Sequence, residues 1–162
     1  MAEANSSTFL TASDFLTTWI GHRQLTRRVL AAFPENELFS FSIGGMRTAA
    51  EFAVELLQVG LPVVRGLTTG EWSEFQMESH ASKEELLAAW DADLAAIEQE
   101  FGGITQDQLA AVHVAFGMYS SSGKSHVVYA LDNEVHHRAQ MYVYLRALDI
   151  EPPAFFERQL IE

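Results

Sequence analysis

Apolar residues recur at helical spacing in four stretches of this chain. In "SDFLTTWIGHRQLTRRVLAAFPE", Phe15, Trp19, His22, Thr26, Val29 and Phe33 fall three or four positions apart and make one largely apolar stripe. Ser13 or Asp14 can cap the start of this helix, and Pro34 marks its stop. The following "LFSFSIGGM" carries two glycines and has no partner strand, so it reads as a connecting loop. A second helix is predicted to begin after Gly45 and to run through "MRTAAEFAVELLQV". There Gly60 and Pro62 either end it or kink it, and the helix-compatible "VVRGL" beyond them favours a kink.

The segment "TTGEWSEFQMESHAS" has no clear period and reads as a surface loop of the kind that often rims a site. A third helix is delimited at both ends: Ser82 stands at the N-cap with Glu85 at the capping-box position, and paired glycines close "EQEFGG". Residues 104 to 121, around "AAVHVAFGMY", suit either a short helix or extended pieces. The last helix starts near Ser122 or Ser125 and continues to about Leu148, where "DIEPPAFFE" breaks it with a proline pair. The fold class that follows is all-α: a four-helix bundle with long connections, residues 1–162 forming one domain, its sites built from side chains on facing helices.

Composition narrows the functions open to such a bundle. With 48% apolar and 20% charged residues the 162-residue chain has the balance of a soluble globular protein. The N-terminal "MAEANSSTFLTASDF" has neither a basic opening nor a long apolar run, and no stretch approaches the roughly 18 apolar residues of a membrane span. A cytoplasmic location is therefore expected, with no membrane partner. The formal net charge of −12 opposes a phosphate backbone, so nucleic acid is not an expected partner either. There is no cysteine, which excludes disulfides, thiolate ligands and a protein thiol nucleophile. No glycine-rich phosphate loop, nucleophile elbow or Ser-His-Asp order is present.

The chemistry then rests on polar residues that interrupt the apolar stripes. On the last helix Ala130, Asn133, His137, Met141, Tyr144 and Leu148 share one face, which places Asn133 and His137 inward and four residues apart, the spacing at which two side chains reach one ion. His136 lies about 100° off that face. On the second helix Glu55 sits between Phe52 and Val59, and a buried carboxylate needs a cation or a hydrogen-bond donor. Glu55, Asn133 and His137 together offer a carboxylate oxygen, an amide oxygen and an imidazole nitrogen, a set able to bind a divalent ion with water completing the shell. The same residues suit a plain Glu55–His137 hydrogen-bonded pair. His22 reads first as core or pocket wall, with a role as an extra ligand second. Trp19, Phe15, Phe33 and Trp90 read as core. Arg138 can pair with Glu134 one turn earlier as on many helix surfaces, although Arg138 and Gln140 stand out within "EVHHRAQ".

At these residues the sequence resembles the DinB/YfiT-like superfamily of metal-binding four-helix bundles. The resemblance spans nearly the whole chain and is carried by "GMRTAAEFAVELL" and, more specifically, by "NEVHHRAQMYVYLRALDIEPP". It implies a pocket metal such as nickel or zinc, held by one histidine of the second helix and two of the fourth. On this chain His137 matches the retained ligand, Asn133 stands in for the earlier histidine, and Glu55 falls where the second-helix histidine is expected; Ala139 replaces a usual glycine.

The cofactor the resemblance implies is a divalent metal, nickel, zinc or manganese; exchanging imidazole for amide oxygen weakens binding of borderline ions such as zinc and nickel and shifts preference toward harder ones. The resemblance further implies damage-inducible, stress-linked relatives that are often homodimers. Some of them are thiol transferases using low-molecular-weight thiols such as bacillithiol, and one is a mycothiol-dependent isomerase. The expected function is a bundle with a degenerate metal-site pocket, serving as a stress-response module or small-molecule binder and working as a homodimer. The alternative is a divalent-metal-dependent thiol S-transferase or hydrolase, with loop residues near Trp72 lining the pocket and the metal lowering the pKa of a bound thiol or water.

Overall fold

Each of the four helical stripes is a long helix in the structure, a computed structural model that describes residues 10–74 and 79–158. They are α1 (Ala12–Ala32), α3 (Ala49–Thr69), α4 (Lys83–Glu100) and α6 (Gly123–Ala147). Two short helices, α2 (Glu35–Ser40) and α5 (Gln106–Ala110), and one antiparallel hairpin, β1 (Val112–Ala115) with β2 (Tyr119–Ser122), fill the connections. Helix α3 packs on α4 and α6, and α1 packs on the same two, so α1 and α3 lie diagonally across the bundle.

The helix ends show how local chemistry sets the boundaries. Helix α1 is capped by Thr11, not by Ser13 or Asp14. The Thr11 hydroxyl accepts from the Asp14 backbone N–H at 3.1 Å while the Asp14 carboxylate accepts from the Thr11 backbone N–H at 3.0 Å, a closed capping box that starts the helix two residues early. Thr48 and Glu51 do the same for α3, which therefore begins at Ala49 and not directly after Gly45. Ser82 caps α4 as expected, but the Glu85 carboxylate reaches past it to the backbone N–H of Ala81 at 2.9 Å.

Helix α3 runs through Pro62 to Thr69 and stops at Gly70, whose φ of 80° suits a residue without a Cβ. Part of the stretch read as a loop after Pro34 is helical. Glu35 and Glu37 place negative charge in the first turn of α2, and Leu38 anchors that turn with no exposed surface. The segment left open between helix and strand contains both, α5 and the hairpin, turned by Phe116 and Gly117 at positive φ. Of the loop read over "TTGEWSEFQMESHAS", residues 75–78 lie outside the described residues, and the remainder after Gly70 carries no helix or strand up to Ser82.

Two apolar clusters fill the bundle, one at each end. Val29, Phe33, Phe52, Leu56, Leu86, Trp90, Met141 and Tyr144 belong to the first; Trp19, Val63, Ile97, Phe101, Val127 and Ala130 belong to the second. Phe15 is only partly buried against the second cluster, stacked on Phe101 with ring centroids 6.0 Å apart. Between the clusters each long helix contributes polar side chains at the same level: His22, Arg23 and Thr26 from α1, Glu55 from α3, Asp93 from α4, and Asn133, Glu134, His137 and Arg138 from α6. All are buried except Glu55, which is half-buried. The polar layer therefore divides the hydrophobic core in two, and buried polar groups at this density must satisfy one another.

Candidate functional site between the third and sixth helices

Glu55, Asn133 and His137 meet as the helical periodicity predicts. His137 Nε2 lies 3.1 Å from Glu55 Oε1, and the Asn133 amide donates to the same oxygen at 3.3 Å. Both α6 residues are buried, while Glu55 keeps 17% of its side chain exposed, which makes it the member nearest solvent. The His137 ring stacks on Phe52 at 4.7 Å, and its Nδ1 lies 2.7 Å from Gln140 Oε1, so ring plane and direction are both fixed. His136 is exposed, edge-on to His137 at 5.0 Å, and makes no contact with Glu55.

The residue that sequence periodicity does not reveal is Arg47. It lies in the loop just before the Thr48 cap, outside any helical stripe, and its guanidinium forms an ion pair with Glu55 Oε2. Tyr144 holds this loop by donating its hydroxyl to the Arg47 carbonyl at 2.8 Å. Burial raises the proton affinity of the Glu55 carboxyl, but the hydrogen bonds and charges of Arg47 and His137 outweigh it and hold the group below the usual carboxylate range. Both carboxylate oxygens of Glu55 are thus engaged, one by a cation and one by two donors.

This arrangement bears on whether the residues fit a divalent ion. The set contains one imidazole and one carboxylate, and among the described residues no group of three or more His, Cys, Asp or Glu side chains is placed to hold a metal. Asn133 presents its NH₂ to Glu55, as a hydrogen-bond donor and not as an oxygen ligand. A second, doubly charged cation at Glu55 would face the guanidinium of Arg47. The donor set as built does not fit a borderline ion such as zinc or nickel.

A second polar cluster occupies the α1–α6 side of the same layer. Glu134, 1% exposed, accepts from Trp19 Nε1 at 3.2 Å and from the Thr26 hydroxyl at 2.6 Å, and has Arg23 at 3.8 Å and Arg138 at 3.7 Å. The Glu134–Arg138 pair is therefore a core interaction and not the surface pair that its i, i+4 spacing suggests. Arg23 also forms an ion pair with Asp93 of α4 and lies 3.7 Å over the Trp90 ring, whose Nε1 donates to the Arg23 carbonyl at 3.0 Å. The sequence signal for this cluster is positional: Arg23 follows Trp19 by one turn, and Glu134 and Arg138 directly follow the inward Asn133 and His137.

His22 belongs to this side and has no part in the Glu55 cluster. Its Nδ1 lies 2.7 Å from an Arg138 nitrogen, and its Nε2 lies 2.7 Å from one of Arg158, whose segment folds back over α1 at Gly21. Burial, followed by the charges of Arg138 and Arg158, pushes the ring down to about 4, so it is neutral and accepts from one of the two guanidiniums through its single unprotonated nitrogen.

Trp72, expected near the pocket, lies by the far end of α3. Its indole contacts Phe116 at 5.5 Å and His126 at 5.6 Å, and it borders a cleft between α3 and α4, not the α3–α6 cluster. No helix among the described residues is long and apolar enough to cross a membrane.

Four long helices around a buried polar layer, with a carboxylate, an amide and an imidazole converging between α3 and α6, define a site-bearing helical bundle. The chain belongs to the DinB family, whose model matches residues 3–162. Two solved structures share its fold. A DinB-like protein from Bacillus cereus is 17% identical, with a TM-score of 0.72 over 92% of this chain and 100% of that one. A DinB-like protein from Bacillus subtilis is 18% identical, with a TM-score of 0.74 over 90% of this chain and 99% of that one. No curated protein gives a significant match.

Proposed function

We propose that this DinB-family chain is a metal-independent stress-response module of the cytoplasm that binds a small molecule and carries out no catalysis of its own. The observation that supports this is the ion pair between Arg47 and Glu55. The guanidinium supplies beside Glu55 the positive charge that a divalent ion would otherwise bring, and His137 and Asn133 satisfy the oxygen that remains. The site is then a hydrogen-bonded cluster that ties α3 to α6, with Glu55 and the partly exposed Arg47 at its solvent edge. The thiol-transfer alternative needs a divalent ion among Glu55, Asn133 and His137, and Arg47 opposes it.

Thermal unfolding with and without Zn²⁺, Ni²⁺ or Mn²⁺ tests this reading. An ion at a hundredfold excess over its Kd adds about 2.7 kcal/mol to a protein that binds it only when folded. The wild type should show no such gain. The double variant Arg47→Met, Asn133→His, which removes the competing charge and restores a second imidazole, should show it. Stabilisation of the wild type by one of these ions, abolished by His137→Ala, would overturn the proposal in favour of metal-dependent chemistry.

A further inference from the structure

Between α3 and α4 the bundle opens into a cleft of about 880 Å³. Leu57, Leu61 and Pro62 form one apolar wall, and Ala89, Ala92 and Ala96 keep the other low. Trp72 closes one end, and its position is built in: a Cβ at Gly66 would lie 2.5 Å from the indole, so the ring rests directly on the α3 backbone. At the rim Arg65 is bound by Glu100 through two hydrogen bonds of 2.9 and 2.7 Å, which occupies the one Arg or Lys among the described lining residues; His80 is the other basic side chain in the lining.

Asp93 also borders the cleft. Its Oδ2 takes the Arg23 ion pair, and its Oδ1 has no hydrogen-bond partner among the described residues. Arg23 in turn lies close to a second carboxylate, Glu134, so it does not serve Asp93 alone. Glu71 adds a further negative group to the lining. A cleft of mixed polarity with an apolar wall, an aromatic end, a carboxylate oxygen open to it and no uncommitted Arg or Lys among the described lining residues is complementary to a ligand with a positive head and an apolar body.

We propose that the α3–α4 cleft binds an organic cation, a primary or secondary amine on an apolar ring or chain, with the ammonium donating to Asp93 Oδ1 and the body lying along Leu57, Leu61 and Trp72. The site is separate from the Glu55 cluster, so it stands whether or not that cluster takes a metal. It names a ligand class for the small-molecule binding proposed above. Burial, opposed by Arg23 and reinforced by Glu134, lifts the Asp93 carboxyl to about 6. The charged groups that bear on it are Arg23 of α1, Arg65 of α3 and Glu134 of α6. An ammonium ligand favours the ionised carboxyl, so affinity should rise as pH increases through that value.

Calorimetric titration with tryptamine as the probe, with indole-3-acetate as its anionic counterpart, decides the matter. The expected result is saturable binding of tryptamine to one site, at least tenfold tighter at pH 7.5 than at pH 5, and no binding of indole-3-acetate. Asp93→Asn should weaken tryptamine at least tenfold. Because that variant also disturbs a buried ion pair, Ala92→Phe provides an independent check: it fills the cleft from an exposed helix position and should abolish binding while the melting temperature is kept. Absence of saturable tryptamine binding, equal binding of the anion, or unchanged affinity in Ala92→Phe would overturn the proposal.

Discussion

Glu134→Ala is expected to cost about 3–5 kcal/mol of unfolding free energy, the range for breaking a buried ion pair by deleting one partner. The Glu134 carboxylate lies within ion-pair distance of both Arg23 and Arg138 and accepts from Trp19 and Thr26, all deep in the core. Its loss leaves the buried Arg138 without a carboxylate and Arg23 with Asp93 alone. Urea unfolding should show a lower midpoint with little change in slope. A loss under about 1 kcal/mol, the range of exposed pairs, would mean that the cluster is far more hydrated than its burial indicates.

Trp90→Ala is expected to be similarly damaging, at about 3–5 kcal/mol for a large aromatic removed from a packed core. The ring has no exposed surface, belongs to the apolar cluster of Phe52, Leu86 and Met141, and supports Arg23 both as a π face and through its N–H. Because Trp90 and Glu134 both support Arg23, their effects should not add, and a double-mutant cycle should show a coupling of about 0.5–3 kcal/mol. Strict additivity would separate the aromatic from the polar layer.

The parts of this architecture that were legible in the sequence are those governed by a single helix and its own period. The α6 stripe through Asn133 and His137 placed both side chains against Glu55, because a 3.6-residue repeat in a long helix leaves them no other direction. The aromatic stripe of α1 likewise put Trp19 and Phe33 in the core.

Arg47 was not legible, because the helical reading of "MRTAAEF" put it inside the second helix, whereas it stands in the loop before the Thr48 cap, where no repeat constrains direction and where Tyr144 holds the backbone beside Glu55. The Glu134 cluster escaped for another reason. Arg23, Glu134 and Arg138 flank the apolar stripes, and charged residues at a flank face solvent unless partners from another helix neutralise them. The hairpin was undecided because the alternation Val112-His113-Val114 covers only three residues, with both valines exposed, and β2 is mostly serine, so the pair lacks the apolar face of a half-buried sheet. The same long-range docking explains His22, whose two partners come from α6 and from the segment after it.

The central claim is that Arg47 holds the place of a cation at Glu55 and makes the site independent of metal. Elemental analysis of the untagged protein, purified without nickel and set beside the His137→Ala variant, tests it most directly. The account predicts no stoichiometric transition metal in either protein. One equivalent of a single metal in the wild type, lost in the variant, would contradict it.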